Sequence, residues 1–179
     1  MLAHNRIIEQ RKARWQFQQL ELRGAFLAFS AVALQFFVVF AGLGELAVLR
    51  RYLFVLAYLL LFPFVWLNRR RLGIAVIGIG VLLNFLAVAT NGGLMPLDPK
   101  TAERAGQASR IADVRLGEPV PHSKDVLLRR ESTRLWFLSD VLTVDNPLRI
   151  YAFSPGDVVI VAGLVLTMGS YLLPRRVPD

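Results

Sequence analysis

Hydrophobic and polar positions are segregated into long blocks along this chain. Four blocks are apolar with uncharged interiors, and each approaches the roughly 20 residues that a helix needs to cross about 30 Å of hydrocarbon. These blocks predict four transmembrane helices, at residues 24–44, 52–67, 72–90 and 154–173. The second block contains Pro63, which membrane helices tolerate.

Basic residues mark one side of the predicted bundle. The flanks 1–23, 68–71 and 174–179 together carry ten Lys and Arg, whereas the short connection 45–51 carries two. Short loops rich in Lys and Arg stay in the cytoplasm, so this bias predicts cytoplasmic termini, with 174–179 as a cytoplasmic tail. Residues 91–152 form a loop of about 60 residues. Because long loops translocate with little regard to charge, we expect this loop outside the cytoplasm.

The basic stretch 1–23 has a helical repeat. Ile8, Trp15 and Leu22 recur every seven residues and share one helix face, which predicts a cytoplasmic amphipathic helix. Such a helix can lie in the membrane interface with its tryptophan at the level of the headgroups, or it can dock a cytoplasmic partner. The predicted fold is therefore an all-α integral membrane protein with four transmembrane helices, an N-terminal amphipathic helix and one large extracytoplasmic loop.

Three of the four apolar blocks carry a stripe of small and polar residues at helical spacing. Small residues let membrane helices approach closely, and amides and hydroxyls can hydrogen-bond between them. We expect the first, third and fourth helices to pack together through these stripes, and the bulkier second helix to lie at the periphery. The stripe residues are Gly24, Ala28, Ala31 and Gln35; Gly73, Gly80, Asn84 and Ala87; and Gly156, Gly163, Thr167 and Ser170.

Two amides of these stripes are predicted at the same depth. Gln35 and Asn84 each lie 11 to 12 residues into their block, which is roughly 16 to 18 Å at about 1.5 Å per residue. We expect the two side chains to face each other. They can form an interhelical hydrogen bond that fixes packing, or line a polar site for a solute, a quinone or a pigment.

Two turn motifs bound the large loop. Asn91, Gly92, Gly93 and Pro96 follow the third block, where two glycines permit positive φ and proline prevents helix continuation. This turn is predicted to end the helix and fold the loop back over the bundle. Before the fourth block, Ser154 and Asp157 flank a Pro-Gly pair and predict a helix N-cap.

Composition excludes several kinds of chemistry. The 179 residues include no Cys and two His, and carry a formal net charge of +8. The absence of Cys excludes disulfides, thiol nucleophiles and Cys-ligated metals, and we expect no metal, no cofactor and no enzymatic activity. Most of the excess charge lies at membrane edges, so nucleic acid is not an expected partner. The span interiors carry no ionisable residue, which argues against an ion pump.

Acidic residues in the large loop alternate with basic ones. This pattern is typical of a neutralised, solvated surface, and we expect it to be exposed to water. The five carboxylates concerned are Asp113, Glu118, Asp125, Glu131 and Asp140.

Four short motifs follow one another along the chain: Asn84-Phe85-Leu86, Asn91-Gly92-Gly93-Leu94-Met95-Pro96, Thr133-Arg134-Leu135-Trp136-Phe137-Leu138-Ser139-Asp140 and Phe153-Ser154-Pro155-Gly156-Asp157-Val158. In this order they resemble an uncharacterised family of bacterial multi-pass membrane proteins, known as a domain of unknown function. The resemblance covers roughly residues 24–173. It implies a bacterial cell membrane location and supplies no activity, substrate or cofactor.

Two functional hypotheses follow. In the first, the chain is a non-catalytic accessory or scaffold subunit of a larger bacterial membrane complex, for example an energy-transducing one, with membrane lipids and other subunits as partners. In the second, it is a small binding or transport module for a solute, lipid or quinone, with Gln35, Asn84 and the Asn-Gly-Gly turn lining a polar cavity.

Overall fold

The chain folds into a helical bundle that carries a small domain at one end. A computed structural model describes residues 15–16, 21–40, 46–145, 150–172 and 175–176. Within those ranges the helices are α1 (Ala25–Phe40), α2 (Ala47–Asn68), α3 (Leu72–Thr90), α4 (Pro99–Arg104), α5 (Ala108–Ile111) and α6 (Pro155–Leu172). The strands are β1 (Trp15–Gln16), β2 (Met95–Leu97), β3 (Asp125–Leu127), β4 (Leu142–Asp145), β5 (Ile150–Phe153) and β6 (Arg175–Arg176).

Three of these helices are long and apolar enough to cross a membrane: Val48–Asn68 within α2, all of α3 and all of α6. Helix α1 is also apolar but has 16 described residues. The predicted first span extends into residues 41–44, which lie outside the described residues.

Helix α2 packs between α1 and α3, whereas α3 and α6 form the most extensive helix contact. The prediction that the second helix lies at the periphery is therefore wrong. Helix α2 contributes large side chains to these contacts and has no small-residue stripe of its own. Tyr58 of α2 meets Phe54 edge to face at 5.5 Å, and Phe62 meets Phe85 of α3 in the same manner at 5.2 Å. Aromatic rings that interlock in this way stabilise packing without close backbone approach.

Residues 91–145, here called the loop domain, have a small core of their own. Strands β2 and β3 pair in parallel, with Met95 opposite Asp125 and Leu97 opposite Leu127. Strands β4 and β5 form an antiparallel ribbon that returns the chain to α6. The buried apolar residues of this core are Leu97, Ala102, Ile111, Val120 and Leu127.

The loop domain is inserted into one end of the bundle, which we call the loop end. Leu94, Met95 and Val126 belong to the same buried cluster as Phe54 and Val88 of the helices. The bundle and the loop domain therefore share one hydrophobic core at this end.

The opposite end, here called the terminal end, joins the start of α1 to the α2–α3 turn. Asn68 accepts a hydrogen bond from the Arg23 amide at 3.0 Å and donates to the Arg23 carbonyl at 2.8 Å. Arg71 donates to the Glu21 carbonyl at 2.6 Å. Most of the predicted helix at 1–23 lies outside the described residues, and β1 within it pairs with β6 as a short strand.

Candidate functional site

The first part of the candidate site lies where α3 meets the start of α6. Ser154 and Asp157 form a reciprocal capping box: the Asp157 amide donates to Ser154 Oγ, and the Ser154 amide to Asp157 Oδ2, each at 3.0 Å. Asn84 closes the network, because its Nδ2 donates to Asp157 Oδ1 and its Oδ1 accepts from Ser154 Oγ, each at 2.7 Å. The predicted cap residues therefore also bind the predicted amide of α3.

Charged residues of the loop domain form a second group, and its Lys124 interacts electrostatically with Asp157. Lys124 Nζ lies 2.5 Å from Asp140 Oδ2 and 3.5 Å from Asp125 Oδ1. Ser123 Oγ donates to Asp125 Oδ2 at 2.5 Å. We call the six residues of these two groups, which come from α3, α6 and the loop domain, the buried polar cluster: Asn84, Lys124, Asp125, Asp140, Ser154 and Asp157.

Sequence reasoning placed two members of this cluster wrongly. Asp125 and Asp140 were predicted in a solvated surface, yet they are 6% and 2% exposed. Alternating charge is a local pattern, whereas their burial depends on pairing between distant segments, such as the bridge between Leu97 and Asp140. One signal was present: Asp125 leads directly into the apolar run that forms β3.

Burial changes the protonation of the cluster. Desolvation raises the pKa of Asp140 from 3.8 to about 7, with the Lys124 ammonium opposing this shift. Burial lowers the pKa of Lys124, but the carboxylates of Asp140 and Asp125 outweigh it and raise the pKa overall. Lys124 therefore stays charged while Asp140 exchanges a proton near neutral pH.

We expect the protein to lose stability as the pH rises from about 4 to 7. In that window the folded state holds a proton on Asp140 that the unfolded state has released, so unfolding becomes easier with increasing pH and levels off above about 7. Unfolding free energies measured across this range in detergent should show the slope. Asp140→Asn should reduce this slope by the amount that corresponds to about one bound proton. An unchanged slope would show that Asp140 is not the group that holds the proton.

Two arginines at the start of α2 hold the loop domain in place. Arg50 is 6% exposed and donates to the carbonyls of Val120, at 3.2 Å, and Ser123. Arg51 donates to the carbonyls of Gly92 at 3.3 Å and Gly117 at 3.0 Å. The sequence placed both arginines in a short loop, but they lie in the helix and contact the loop domain.

The Asn-Gly-Gly turn both ends α3 and fastens the loop domain. Asn91 Nδ2 donates to the carbonyls of Ala87 at 2.8 Å and Arg134 at 2.7 Å, and its Oδ1 accepts from the Arg134 amide at 2.8 Å. Gly92 and Gly93 have φ of 83° and 91°. Pro96 is buried within β2, opposite Val126. The amide thus caps the helix and binds the loop at once.

We expect Gly93→Ala to destabilise the protein more than Gly117→Ala. Both glycines have positive φ, so alanine costs about 1 kcal/mol of backbone strain at either position. A Cβ at Gly93 would also lie 3.1 Å from the Arg51 carbonyl oxygen, whereas nothing lies within 4 Å at Gly117. The extra crowding should raise the loss at Gly93 to about 2 kcal/mol or more. Unfolding free energies in detergent test this, and equal losses would contradict it.

The glycines of the α3 and α6 stripes face each other in reciprocal pairs. A Cβ on Gly80 would lie 2.6 Å from the Gly156 carbonyl oxygen, and one on Gly156 would lie 2.8 Å from the Gly80 carbonyl oxygen. Gly73 and Gly163 form a second pair with distances of 2.8 and 2.7 Å. Since the glycines are seven residues apart in each helix, the two backbones stay in close contact over two turns.

Other predicted stripe residues have different surroundings. Thr167 and Ser170 donate to the carbonyls of Gly163 and Thr167, each at 2.7 Å. Ala87 is fully buried in the core shared with the loop domain.

The stripe of α1 faces α2. A Cβ on Gly24 would lie 3.0 Å from Leu67 Cδ1. Ala31 is fully buried, and Ala28 and Gln35 are half-buried. The predicted Gln35–Asn84 pair is not formed, because Asn84 binds Ser154 and Asp157. Periodicity showed which face of α1 is small, but it could not show which helix covers that face.

Among the described residues, no group of three or more His, Cys, Asp or Glu side chains is placed to hold a metal ion.

Comparison with known proteins gives one family. No curated protein and no solved structure matches the chain. Residues 19–169 match the family described as Family of unknown function (DUF5317). This range includes α1, α2, α3, the loop domain, the buried polar cluster and all of α6 except its last three residues. The chain therefore belongs to DUF5317, a family of unknown function.

Proposed function

We propose that this protein is a non-catalytic accessory or scaffold subunit of a larger bacterial membrane complex, for example an energy-transducing one. The observation that carries this proposal is the closed network of Asn84, Ser154 and Asp157. The polar groups at the helix contact bind one another and hold α6 against α3, while Arg50, Arg51 and Asn91 fasten the loop domain to the bundle. A rigid platform of this kind suits a subunit that positions other proteins.

The same proposal includes a four-span topology with cytoplasmic termini. The 16 described residues of α1 reach about 24 Å at 1.5 Å per residue, which is most of the hydrocarbon thickness. Helices α1, α2, α3 and α6 then cross in alternating directions, and the loop domain lies outside the cytoplasm. The arginine-rich α2–α3 turn at the terminal end supports this orientation.

Cysteine labelling tests the topology. In this Cys-free chain, Ser109→Cys on α5 should react with a membrane-impermeant maleimide added outside intact cells, because Ser109 is exposed. Arg70→Cys, exposed in the α2–α3 turn, should react only after the membrane is opened. The reverse pattern would contradict the orientation.

Native mass spectrometry after mild detergent extraction tests the subunit role. We expect a species of defined stoichiometry, heavier than the 20.1 kDa chain and containing other proteins. A photo-crosslinking residue at Phe29 or Val165, which are 76% and 64% exposed, should give a discrete protein adduct on at least one helix. The purified chain alone is the control for self-association. A lone monomer with lipid adducts at both positions would contradict the proposal.

A small groove favours the second candidate function, a binding module for a lipid or quinone. About 320 Å³ lies between the loop ends of α2 and α3, lined by Val48, Arg51, Tyr52, Val55, Ala89, Gly92 and Gly93. This site is apolar with one cation, and it does not involve Gln35 or Asn84. If it binds such a molecule, Val55→Trp should remove a lipid or quinone adduct seen by native mass spectrometry, while Leu59→Trp, one turn away, should keep it.

A further inference from the structure

The loop domain has a second, larger concave surface. A cleft of about 1180 Å³ lies between α4 and the segment that runs from Arg129 to Val141. It is separate from the buried polar cluster, with which it shares no residue. Four basic side chains line it: Lys100, Arg104, Arg129 and Arg130.

Two of these cations are held in position. The Arg130 guanidinium lies 3.4 Å from the centre of the Trp136 ring. Arg104 Nη2 donates to Thr101 Oγ1 at 3.1 Å, and its Nε to the Lys100 carbonyl at 3.4 Å. A guanidinium has five N–H donors, so each group keeps donors for a ligand.

The acidic side chains of the cleft do not neutralise these cations by direct pairing. Asp98 caps α4, since its oxygens accept from the amides of Lys100 at 2.9 Å and Arg130 at 3.0 Å. Glu103 and Glu131 also line the cleft. Across the described part of the chain, the ion pairs are those of Lys124 with Asp125 and Asp140, which lie elsewhere.

One edge of the cleft lies beside the bundle. The turn Trp136–Leu138 packs against α3 and α6, and Trp136 and Phe137 are 38% and 52% exposed. Aromatic residues at the ends of membrane helices lie at the level of the lipid headgroups. With the bundle in the membrane as proposed above, the Trp136 side of the cleft opens at the level of the headgroup phosphates.

We propose that this cleft binds the phosphate group of an anionic lipid headgroup or of a soluble phosphate ester, with Arg104 and Arg130 as the main donors. Planar guanidinium groups match the geometry of phosphate oxygens and form charge-assisted hydrogen bonds with them. The proposal goes beyond a scaffold role, because it needs no partner protein.

Fluorescence of Trp136 reports directly on the cleft. In a Trp15→Phe/Trp66→Phe background, Trp136 is the one remaining tryptophan of the chain. The full chain is placed in phosphatidylcholine nanodiscs and titrated with glycerol 3-phosphate, and separately prepared in nanodiscs with increasing phosphatidylglycerol. A saturable change in the first arm assigns a soluble ester, and one in the second assigns a lipid.

Variants separate a site from general charge attraction. We expect Arg130→Ala and Arg104→Ala each to raise the ligand concentration that gives half of the fluorescence change about tenfold. This is the loss of affinity typical of one charge-assisted hydrogen bond. Arg104→Ala leaves the Trp136 contact intact, so it also tests the site if Arg130→Ala misfolds. Arg110→Ala removes an exposed arginine on α5 outside the cleft and should have no effect. No response in either arm, or an equal loss with Arg110→Ala, would overturn the proposal.

Discussion

Gly80→Ala is expected to lower the free energy of unfolding by about 3 kcal/mol, the upper part of the range for overpacking a tight contact. The added Cβ would lie 2.6 Å from the Gly156 carbonyl oxygen and 2.8 Å from the Ile160 amide nitrogen. Both are backbone atoms, so no side-chain rotation can relieve the clash. The two helices would have to separate, and the hydrogen bonds of Asn84 to the start of α6 would lengthen with them.

Gly169→Ala provides a matched control on α6. Nothing lies within 4 Å of a Cβ at Gly169, and alanine favours a helix more than glycine does, so this variant should be neutral or slightly more stable. Gly156→Ala should resemble Gly80→Ala, and the double variant should lose less than the sum because both disturb one contact. Unfolding by denaturing detergent measures all four proteins. Equal stability of the Gly80 and Gly169 variants would contradict the close helix contact.

The close contact of α3 and α6 is a feature that the local sequence pattern could predict. The seven-residue spacing of Gly73 and Gly80, and of Gly156 and Gly163, marks one narrow face on each helix. A face made of glycines lets the backbone of another helix approach closely. The bounds of α3 could also be predicted from the sequence, because its 19 residues are uncharged throughout. Strong periodicity within one element is information that the sequence carries locally.

The arrangement of whole elements could not be obtained in this way. Helix α1 has a small-residue face like those of α3 and α6, yet it packs on α2. The choice depends on how the aromatic side chains of α2, such as Phe54 and Tyr58, fill the space between their neighbours. Volume complementarity of this kind has no period along the chain.

The candidate site combines both situations. Ser154 and Asp157 could be recognised as a cap from four consecutive residues, because the chemistry is local. Lys124 and Asp140 are 16 residues apart and lie together because β2 pairs with β3 and also bridges to Asp140. Parallel pairing brings distant segments together, so the ionic half of the cluster depends on the tertiary fold.

A second large loss of stability is expected when the cation of the ion pairs, Lys124, is removed. Lys124→Met should lower the free energy of unfolding by about 3 kcal/mol, the low end for removing one partner of a buried ion pair, since the Lys124 side chain keeps 33% of its surface exposed. The substitution retains most of the aliphatic length but leaves Asp125 and Asp140 without their cation. The loss of unfolding free energy caused by Lys124→Met should be larger at pH 8 than at pH 5, because at the higher pH the remaining carboxyl groups must be buried in charged form. Adding Asp140→Asn should restore part of the lost stability, which a simple loss of packing would not allow.

Lys100→Met, which replaces an exposed lysine on α4, serves as the control. Unfolding in denaturing detergent at both pH values measures the four proteins. A Lys124 variant as stable as the Lys100 variant would show that these ion pairs do not stabilise the loop domain.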